Sequence, residues 1–421
     1  EGIRGLRPGT WWRVDAHGKE ERSYFRPVDA VDVDRLVAAG ERDPRSYLDE
    51  LRQTLQESVR LHLASDVPLA TMCSGGVDSS LITAYAKDER PDLHAYVSEM
   101  DWADSEGDQA VRVGNHLGVP VHRVHLGKEE FLRMWPQIVW SGDRPSARPS
   151  DAALLSVTRR CRRDGVKVLL TGEGADELLG GYPWQRHTYR MWRALRWPRR
   201  LFRTPERARR ERRQLELGPL SSMLGRGDAL ALRHLMFALD AEAETRPLHI
   251  LERLDRIEPR ADRAFHAQLL DDLDRHLSSI LHRHDRMGMA ASMEMRVPFL
   301  ENAMFDLAFH LPRRAKLRRG RTKWLLKTLA EERLPRGVVH AKKKGFPTPE
   351  QYYQGCEEIV RGGRLAEHLG WSRATLDVLL PLARESRSIR FCLASAELWL
   401  RLFFHDERAE DLGEMLVERL A

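Results

Sequence analysis

At 421 residues, with 42% hydrophobic and 31% charged, the chain has the make-up of a soluble globular protein of two domains, or of one domain with a large helical extension. Its 69 basic residues against 63 acidic ones leave +6, a modest excess for this length that fits a solvated arginine-rich surface or attraction to anionic ligands and does not require nucleic acid. No apolar run is long enough to span a membrane and no basic-then-apolar leader opens the chain; Cys73, Cys161, Cys356 and Cys392 lie too far apart for a zinc or CxxC motif, so a reduced, cytoplasmic setting is expected.

In chain order, Ile3 to Gly9 and Trp11 to Val14 predict a turn and a strand that need a partner sheet, with no second strand-rich stretch nearby. Residues 1–27 therefore read as the tail of another domain, and the charge-mixed stretch 28–44 as a connector. Ser46 caps a helix whose Leu48, Leu51, Leu55 and Val59 form one apolar stripe. Strand and helix patterns then alternate: a strand at Pro68 to Cys73, a helix carrying Leu81, Ile82, Tyr85 and Ala86, a strand at Leu93 to Ser98, a helix from Ser105 to Gly118, a strand at Val119 to Leu126, helices around Phe131 to Trp140 and Ala152 to Arg163, and a strand at Val166 to Leu170. This predicts an α/β fold, a doubly wound parallel sheet over 45–185 with ligands at the carboxyl ends of its strands, followed over 186–421 by a large, mostly helical part. The arginines of 190–213, mixed with Trp192, Leu195 and Trp197, read as a solvated helical excursion.

Chemistry concentrates in two junctions. Ser74-Gly75-Gly76-Val77-Asp78-Ser79-Ser80 joins a strand to a helix N-terminus, where glycines let backbone N–H groups converge and the helix dipole favours an anion, so phosphate is the natural ligand. Asp78 would repel a polyphosphate unless a divalent cation sat between them, which argues for Mg²⁺. The Gly-Lys-Ser/Thr ending of a Walker A loop is absent. The second junction, Thr171-Gly172-Glu173-Gly174-Ala175-Asp176-Glu177, repeats the design: a strand end opening into glycines, acids and a helix start. With both strands central in one sheet, Asp78 and Asp176 would converge on one metal-bound pyrophosphate.

The first loop resembles the pyrophosphate loop of the ATP pyrophosphatase superfamily, whose fold is similar to that of the adenine nucleotide alpha hydrolases. The second is similar to the Gly-(Glu/Asp)-Gly-x-Asp-Glu-x-x-Gly-Gly-Tyr block of asparagine synthetases. Two later runs resemble the same family: Asp285 to Glu301, which ends in Glu301 where the family usually has aspartate, and Lys323 to Lys327 with Leu334-Pro335 and Lys342 to Pro349. Residues 1–27 resemble the end of a glutaminase domain, so such a domain is expected in the same or a separate chain.

The resemblance implies ATP and Mg²⁺, with the nucleotide on Cys73, Ser74, Gly75, Gly76, Val77, Asp78, Ser79, Ser80, Ser98, Thr171 and Gly172, and the metal on Asp78 and Asp176. It implies Lys343 as the cation on the transferring group and Glu173 as the acceptor of a proton from incoming ammonia. The substrates implied are small molecules: ATP, aspartate or another carboxylate, and ammonia from glutamine, with no nucleic acid and no membrane; a homodimer is compatible with the resemblance. β-Lactam synthetases and lasso-peptide cyclases resemble the same template, and this chain departs from its usual pattern at Thr71-Met72-Cys73 and at Arg148, so the acceptor carboxylate stays open.

Overall fold

The computed structural model describes residues 5–101, 106–146, 148–194, 250, 252–341 and 348–421. They fall into two compact units: Glu1–Leu55, Gly174–Ile280 and Phe299–Leu329 make up the first, and Gln56–Glu173, Leu281–Pro298 and Ala330–Ala421 the second.

The first unit opens with a hairpin, not with an unpaired strand. Strand β1 (Thr10–Asp15) pairs antiparallel with β2 (Gly18–Ser23), Trp11 opposite Arg22 and Trp12 opposite Glu21. The sequence reading missed β2 because Gly-Lys-Glu-Glu-Arg-Ser contains no β-branched or aromatic residue. Beside the ladder itself, a cross-strand cation–π contact supports it, with Lys19 Nζ 3.2 Å from the centre of the Trp12 ring. Helix α1 (Val33–Glu41) follows, capped by Asp32, whose carboxylate accepts from the Arg35 amide at 2.9 Å.

Helix α2 (Leu48–His62) carries the chain on, its stripe Leu51, Leu55 and Val59 fully buried as the spacing predicts. The second unit is built on five parallel strands: β3 (Leu69–Met72), β4 (Ala95–Glu99), β5 (Val121–His125), β6 (Val168–Leu170) and β7 (Glu294–Arg296), in the spatial order β5-β4-β3-β6-β7. The helices α3 (Val77–Glu89), α4 (Glu106–Leu117), α5 (Lys128–Gly142) and α6 (Asp151–Arg163) make the crossovers. Strand order reverses between β3 and β6, which lie side by side with Thr71 opposite Leu170. In an open α/β sheet that reversal is where the connections diverge and a ligand crevice forms at the carboxyl ends. The two chemically loaded loops, 73–76 and 171–173, leave those two strands.

Strand β7 lies inside the run 285–301, where the sequence analysis expects no strand. The helix Ser278–Met289 ends, and after Ser292, in the left-handed region at φ 54, the chain turns into the sheet edge. Arg296 does bond Glu294, at 2.8 Å, but Glu294 is exposed. The guanidinium also donates to the carbonyls of His62 and Ala64, both at 2.7 Å, and so closes the C-terminal end of α2. Three residues, Glu-Met-Arg, are too few to give a periodicity to read.

The core of this unit is aromatic at its centre, where Trp135 stacks on Phe391 at 4.1 Å and its indole N–H donates to Ser395 Oγ at 2.9 Å. The first unit also contains α7 (Ala175–Leu179), α8 (Pro183–Ala194), the helix Arg260–Asp271 with its π-helical continuation Asp272–Leu277, the helix Asn302–His310 and a short hairpin, Leu317–Arg318 with Arg321–Thr322. Glu301 caps that last helix, its carboxylate accepting from the amides of Ala303 and Met304 at 2.8 and 3.2 Å, a role either acid fills. No helix of the described residues is long and apolar enough to cross a membrane. Most of the arginine-rich run of 190–213 lies outside the described residues.

One position links β6 to α3 directly. A Cβ on Gly172 would stand 2.7 Å from the Ser79 amide nitrogen and 3.0 Å from the Asp78 carbonyl carbon, both backbone and unable to rotate away. Gly172→Ala is therefore expected to lower stability by about 1–3 kcal/mol, the usual cost of overpacking, in urea unfolding followed by circular dichroism. Gly337→Ala, whose Cβ would meet nothing within 4 Å, is the matched control and should stay within about 0.5 kcal/mol of wild type.

Candidate active site

The loop after β3 is shaped by its own hydrogen bonds. Gly75 sits in the left-handed region at φ +75, and a Cβ there would lie 2.7 Å from the Ala110 amide, so α4 packs directly on it. Gln109 Nε2 donates to the Gly75 carbonyl at 2.8 Å. Ser79 Oγ accepts from the Ser74 amide at 3.2 Å and lies 3.1 Å from Ser74 Oγ, which in turn accepts from the Gly76 amide at 3.4 Å. Gly76 is the N-cap of the thirteen-residue α3 and brings no side-chain cap, so no side chain competes with an anion for the first turn of that helix. Val77 and Asp78 stand in that turn, half-buried.

Two predicted contacts are placed for packing. Cys73 is fully buried, its Sγ 3.8 Å from the equally buried Ser80 Oγ, and desolvation raises its thiol pKa, so it is no nucleophile. Any contribution of Cys73 to a nucleotide is through its backbone. Thr83 Oγ1 donates to Ser79 O at 2.8 Å and reaches Thr71 Oγ1 at 3.0 Å, tying the helix to its strand.

At the carboxyl ends of two strands that flank β3, two hydroxyls are buried without a hydrogen-bond partner among the described residues: Ser98 Oγ, near the end of β4, and Thr171 Oγ1, just after β6. A buried hydroxyl left unpaired costs about 1–3 kcal/mol, so these two fit a site that a polar ligand completes. Both were predicted to touch the nucleotide. Past Gly172, Glu173 Oε1 stands 3.4 Å from Nε2 of His284, a side chain only 2% exposed. Beside them Arg283 pairs with Asp151 at 3.1 Å, and Ser146 Oγ donates to Asp151 at 2.9 Å; burial raises the Asp151 carboxyl pKa against the pull of Arg283. Sequence reasoning passed over His284, Arg283 and Asp151. The available signal was polar residues at 283 and 284 on a helix whose Ile280 and Met287 are core.

Asp176 belongs to the first unit and has a partner there. Its Oδ1 lies 2.5 Å from Nζ of Lys323, 3% exposed and at a left-handed φ of 50. Gly181 makes room for the pair: a Cβ would come within 2.3 Å of Lys323 Cε and strike the Asp176 carboxylate. The segment is held from below by Gln185, which accepts from the Tyr182 amide at 2.8 Å and donates to Asp272 at 2.6 Å. Trp184 and Gln268 also donate to Asp272, at 3.2 and 3.1 Å, and burial raises the Asp272 carboxyl to about 7. Lys343 lies outside the described residues.

The buried ion pair makes the two aspartates unequal. Asp176→Asn leaves the Lys323 ammonium without its counter-charge in an almost dry site, and should cost about 3–5 kcal/mol in denaturant unfolding. Asp176→Asn combined with Lys323→Met should recover most of that loss, and equal stabilities of the single and double variants would show that the pair carries no such weight.

The chain matches the family model described as asparagine synthase over residues 50–401. It is 31% identical over 378 residues to asparagine synthetase [glutamine-hydrolyzing] 1 of Bacillus subtilis, a match covering 83% of this chain and 56% of that protein. Over 392 residues it is 31% identical to a putative asparagine synthetase [glutamine-hydrolyzing] of Mycobacterium tuberculosis, covering 89% and 57%. Over 188 residues it is 34% identical to asparagine synthetase B [glutamine-hydrolyzing] of Escherichia coli, covering 41% and 32%. The chain thus spans little more than half the length of the first two relatives. With a parallel sheet whose strand order reverses between β3 and β6 and a family match over most of its length, the chain belongs to the asparagine synthase family.

Proposed function

We propose that this chain is an ATP-dependent amide-forming ligase that adenylates a carboxylate, releases pyrophosphate, and transfers ammonia to the acyl group; the acceptor we assign is the aspartate side chain, giving asparagine. The observation that carries this reading is the uncapped N-terminus of α3 at the strand-order reversal, pressed against Gly172 and flanked by the unpaired hydroxyls of Ser98 and Thr171. The family supports the reaction class. The names of the relatives support aspartate and glutamine-derived ammonia, and a glutaminase domain in the same or a separate chain.

In this reading the amides and hydroxyls of Ser74 to Ser80 hold the pyrophosphate portion of ATP. Gly172 is glycine because the backbone of the β6 loop must lie against the same helix turn. Asp78 and Asp176 are assigned to Mg²⁺ on the strength of the two motifs, and Asp78 fits the part, being a carboxylate in the first turn of an anion-binding helix. Bound there with the phosphates, Mg²⁺ would neutralise charge on the leaving pyrophosphate. The acceptor carboxylate attacks the α-phosphorus, and Lys343, placed by its motif, offsets charge on the transferring group. Ammonia then displaces AMP from the acyl-adenylate, and Glu173 takes the proton that the nitrogen must lose.

Two measurements test this. With ammonium, ATP and Mg²⁺, aspartate should yield asparagine, AMP and pyrophosphate in equal amounts; pyrophosphate release that aspartate does not stimulate, but another carboxylate does, would transfer the assignment to that acceptor. Lys343→Ala should bind ATP normally and lose about 100-fold or more in aspartate-dependent pyrophosphate release, since its charge acts mainly in the transition state. Full activity in that variant would remove Lys343 from the mechanism.

A further inference from the structure

Glu173 is the one motif-assigned acid whose surroundings within its own unit point to a second residue. Its carboxylate is 26% exposed, and among the described residues its ion-pair or hydrogen-bond partner is the His284 imidazole, Nε2 to Oε1, at 3.4 Å. That is longer than a made hydrogen bond, and it is the spacing at which catalytic contacts often stand before substrate tightens them. His284 itself is buried to 2%, in a position where an aliphatic residue would pack at lower desolvation cost.

Both partners are fixed by separate parts of the same scaffold. Glu173 follows the end of β6, where the Thr171 amide donates to the Arg296 carbonyl of β7 at 2.9 Å and Gly172 rests on the backbone of Ser79. From Leu281 onward the helix bearing His284 is fastened to α6 twice, by Arg283 to Asp151 at 3.1 Å and by Thr158 Oγ1 donating to the Met287 carbonyl at 3.2 Å. Asp151 is in turn held by Ser146. A carboxylate on a short loop would otherwise turn freely about its side-chain bonds. A mispositioned proton acceptor loses much of its effect, because proton transfer requires hydrogen-bond reach.

We propose that His284 is the positioning residue for Glu173 in the amide-forming step: its Nε2–H donates to Oε1 and holds the carboxylate toward the attacking nitrogen. This rests on the ligase reading above. In the step, the ammonia lone pair forms the new bond to the acyl carbon and the carbonyl π pair moves to oxygen. One proton passes from the nitrogen, now positively charged, to the Glu173 carboxylate. The carbonyl then re-forms as the bond from carbon to the AMP oxygen breaks, AMP leaving with that electron pair, and Glu173 later returns its proton to water. His284 keeps its own proton throughout. Adenylation precedes the nitrogen and does not use Glu173, so it is indifferent to His284.

That indifference gives the test. The full chain and its His284→Leu and His284→Gln variants are assayed with aspartate as the probe acceptor. Exchange of labelled pyrophosphate into ATP, which needs aspartate but no ammonium, reads adenylation; asparagine formed with ammonium reads the second step. Both variants should keep exchange within about threefold of wild type, while the kcat for asparagine falls by about 100-fold in His284→Leu, the usual worth of general-base catalysis. His284→Gln, which retains an N–H donor, should recover at least about tenfold of that loss. Unchanged asparagine formation in His284→Leu overturns the proposal, as does equal impairment of the two variants or a parallel fall in exchange and asparagine formation. A wild-type chain without aspartate-dependent exchange overturns the acceptor reading and this proposal with it, a result distinct from failure of the variants alone.

Discussion

The contact on which the second unit's chemistry depends is backbone against backbone. Gly172, just past β6, lies so close to Ser79 that no side chain fits between the loop and the first turn of α3. Because β3 and β6 are neighbours in register, with Leu69 opposite Val168, the loops that leave them must share the space above the sheet. That closeness fixes where the helix N-terminus can point. The open end of a thirteen-residue helix, free of any capping side chain, then presents its first turn to whatever anion enters. The hydroxyls of Ser98 and Thr171 are stranded at the carboxyl ends of the two strands that flank β3. Each of these features is costly or neutral for folding, and all would serve the polyphosphate of the proposed reaction.

What was legible in the sequence follows from how each feature is encoded. The parallel strands β3, β4 and β6 are short and mostly apolar, β5 carries valines between polar residues, and all four are flanked by helical patterns, so both their existence and their order along the chain could be read. Glycine at 75 and 172 marks the tight approaches in the sequence itself, since backbone crowding or a positive φ demands it there. Strand β7 and the hairpin strand β2 were not legible, and for the same reason. Neither offers a run of apolar residues: β2 is held by its ladder to β1 with lysine and arginine lying over tryptophan rings, and β7 by ladder bonds to β6, the single apolar Met295 and an arginine that grips the end of α2.

The site was legible in its loops and opaque in its supports. Ser74 to Ser80 and Thr171 to Glu173 announce themselves because they are contiguous, whereas His284 is brought beside Glu173, and Asp151 beside Arg283, only by folding. The pairing of Asp176 with Lys323 crosses almost 150 positions of sequence in the same way, about 147 by residue number. It also changes the physical character of Asp176. A carboxylate read from its motif as a metal ligand is already neutralised by a buried ammonium, so binding of a cation there would compete with, or share, an existing charge pair.

Buried polar groups of this kind weigh against stability, and each unit compensates nearby. In the first, Asp272 is almost wholly enclosed, and three side chains donate to it, which satisfies its acceptors while burial keeps its proton up to about neutral pH. Its unfolded counterpart ionises near the ordinary carboxylate value, so this group contributes less to stability as pH rises from about 4 to about 7 and nothing further changes above that. In the second unit the stacked Trp135 and Phe391 supply large apolar burial on the side of α5, while Arg283, Asp151, Ser146 and His284 cluster beside the loop that carries Glu173. Polar residues concentrated in one place, with apolar packing supplied in another, are what a rigid support for a single carboxylate requires. A side chain that must hold its position through a proton transfer is better served by hydrogen-bonded neighbours of fixed geometry than by close-packed methyl groups, which constrain volume but not direction.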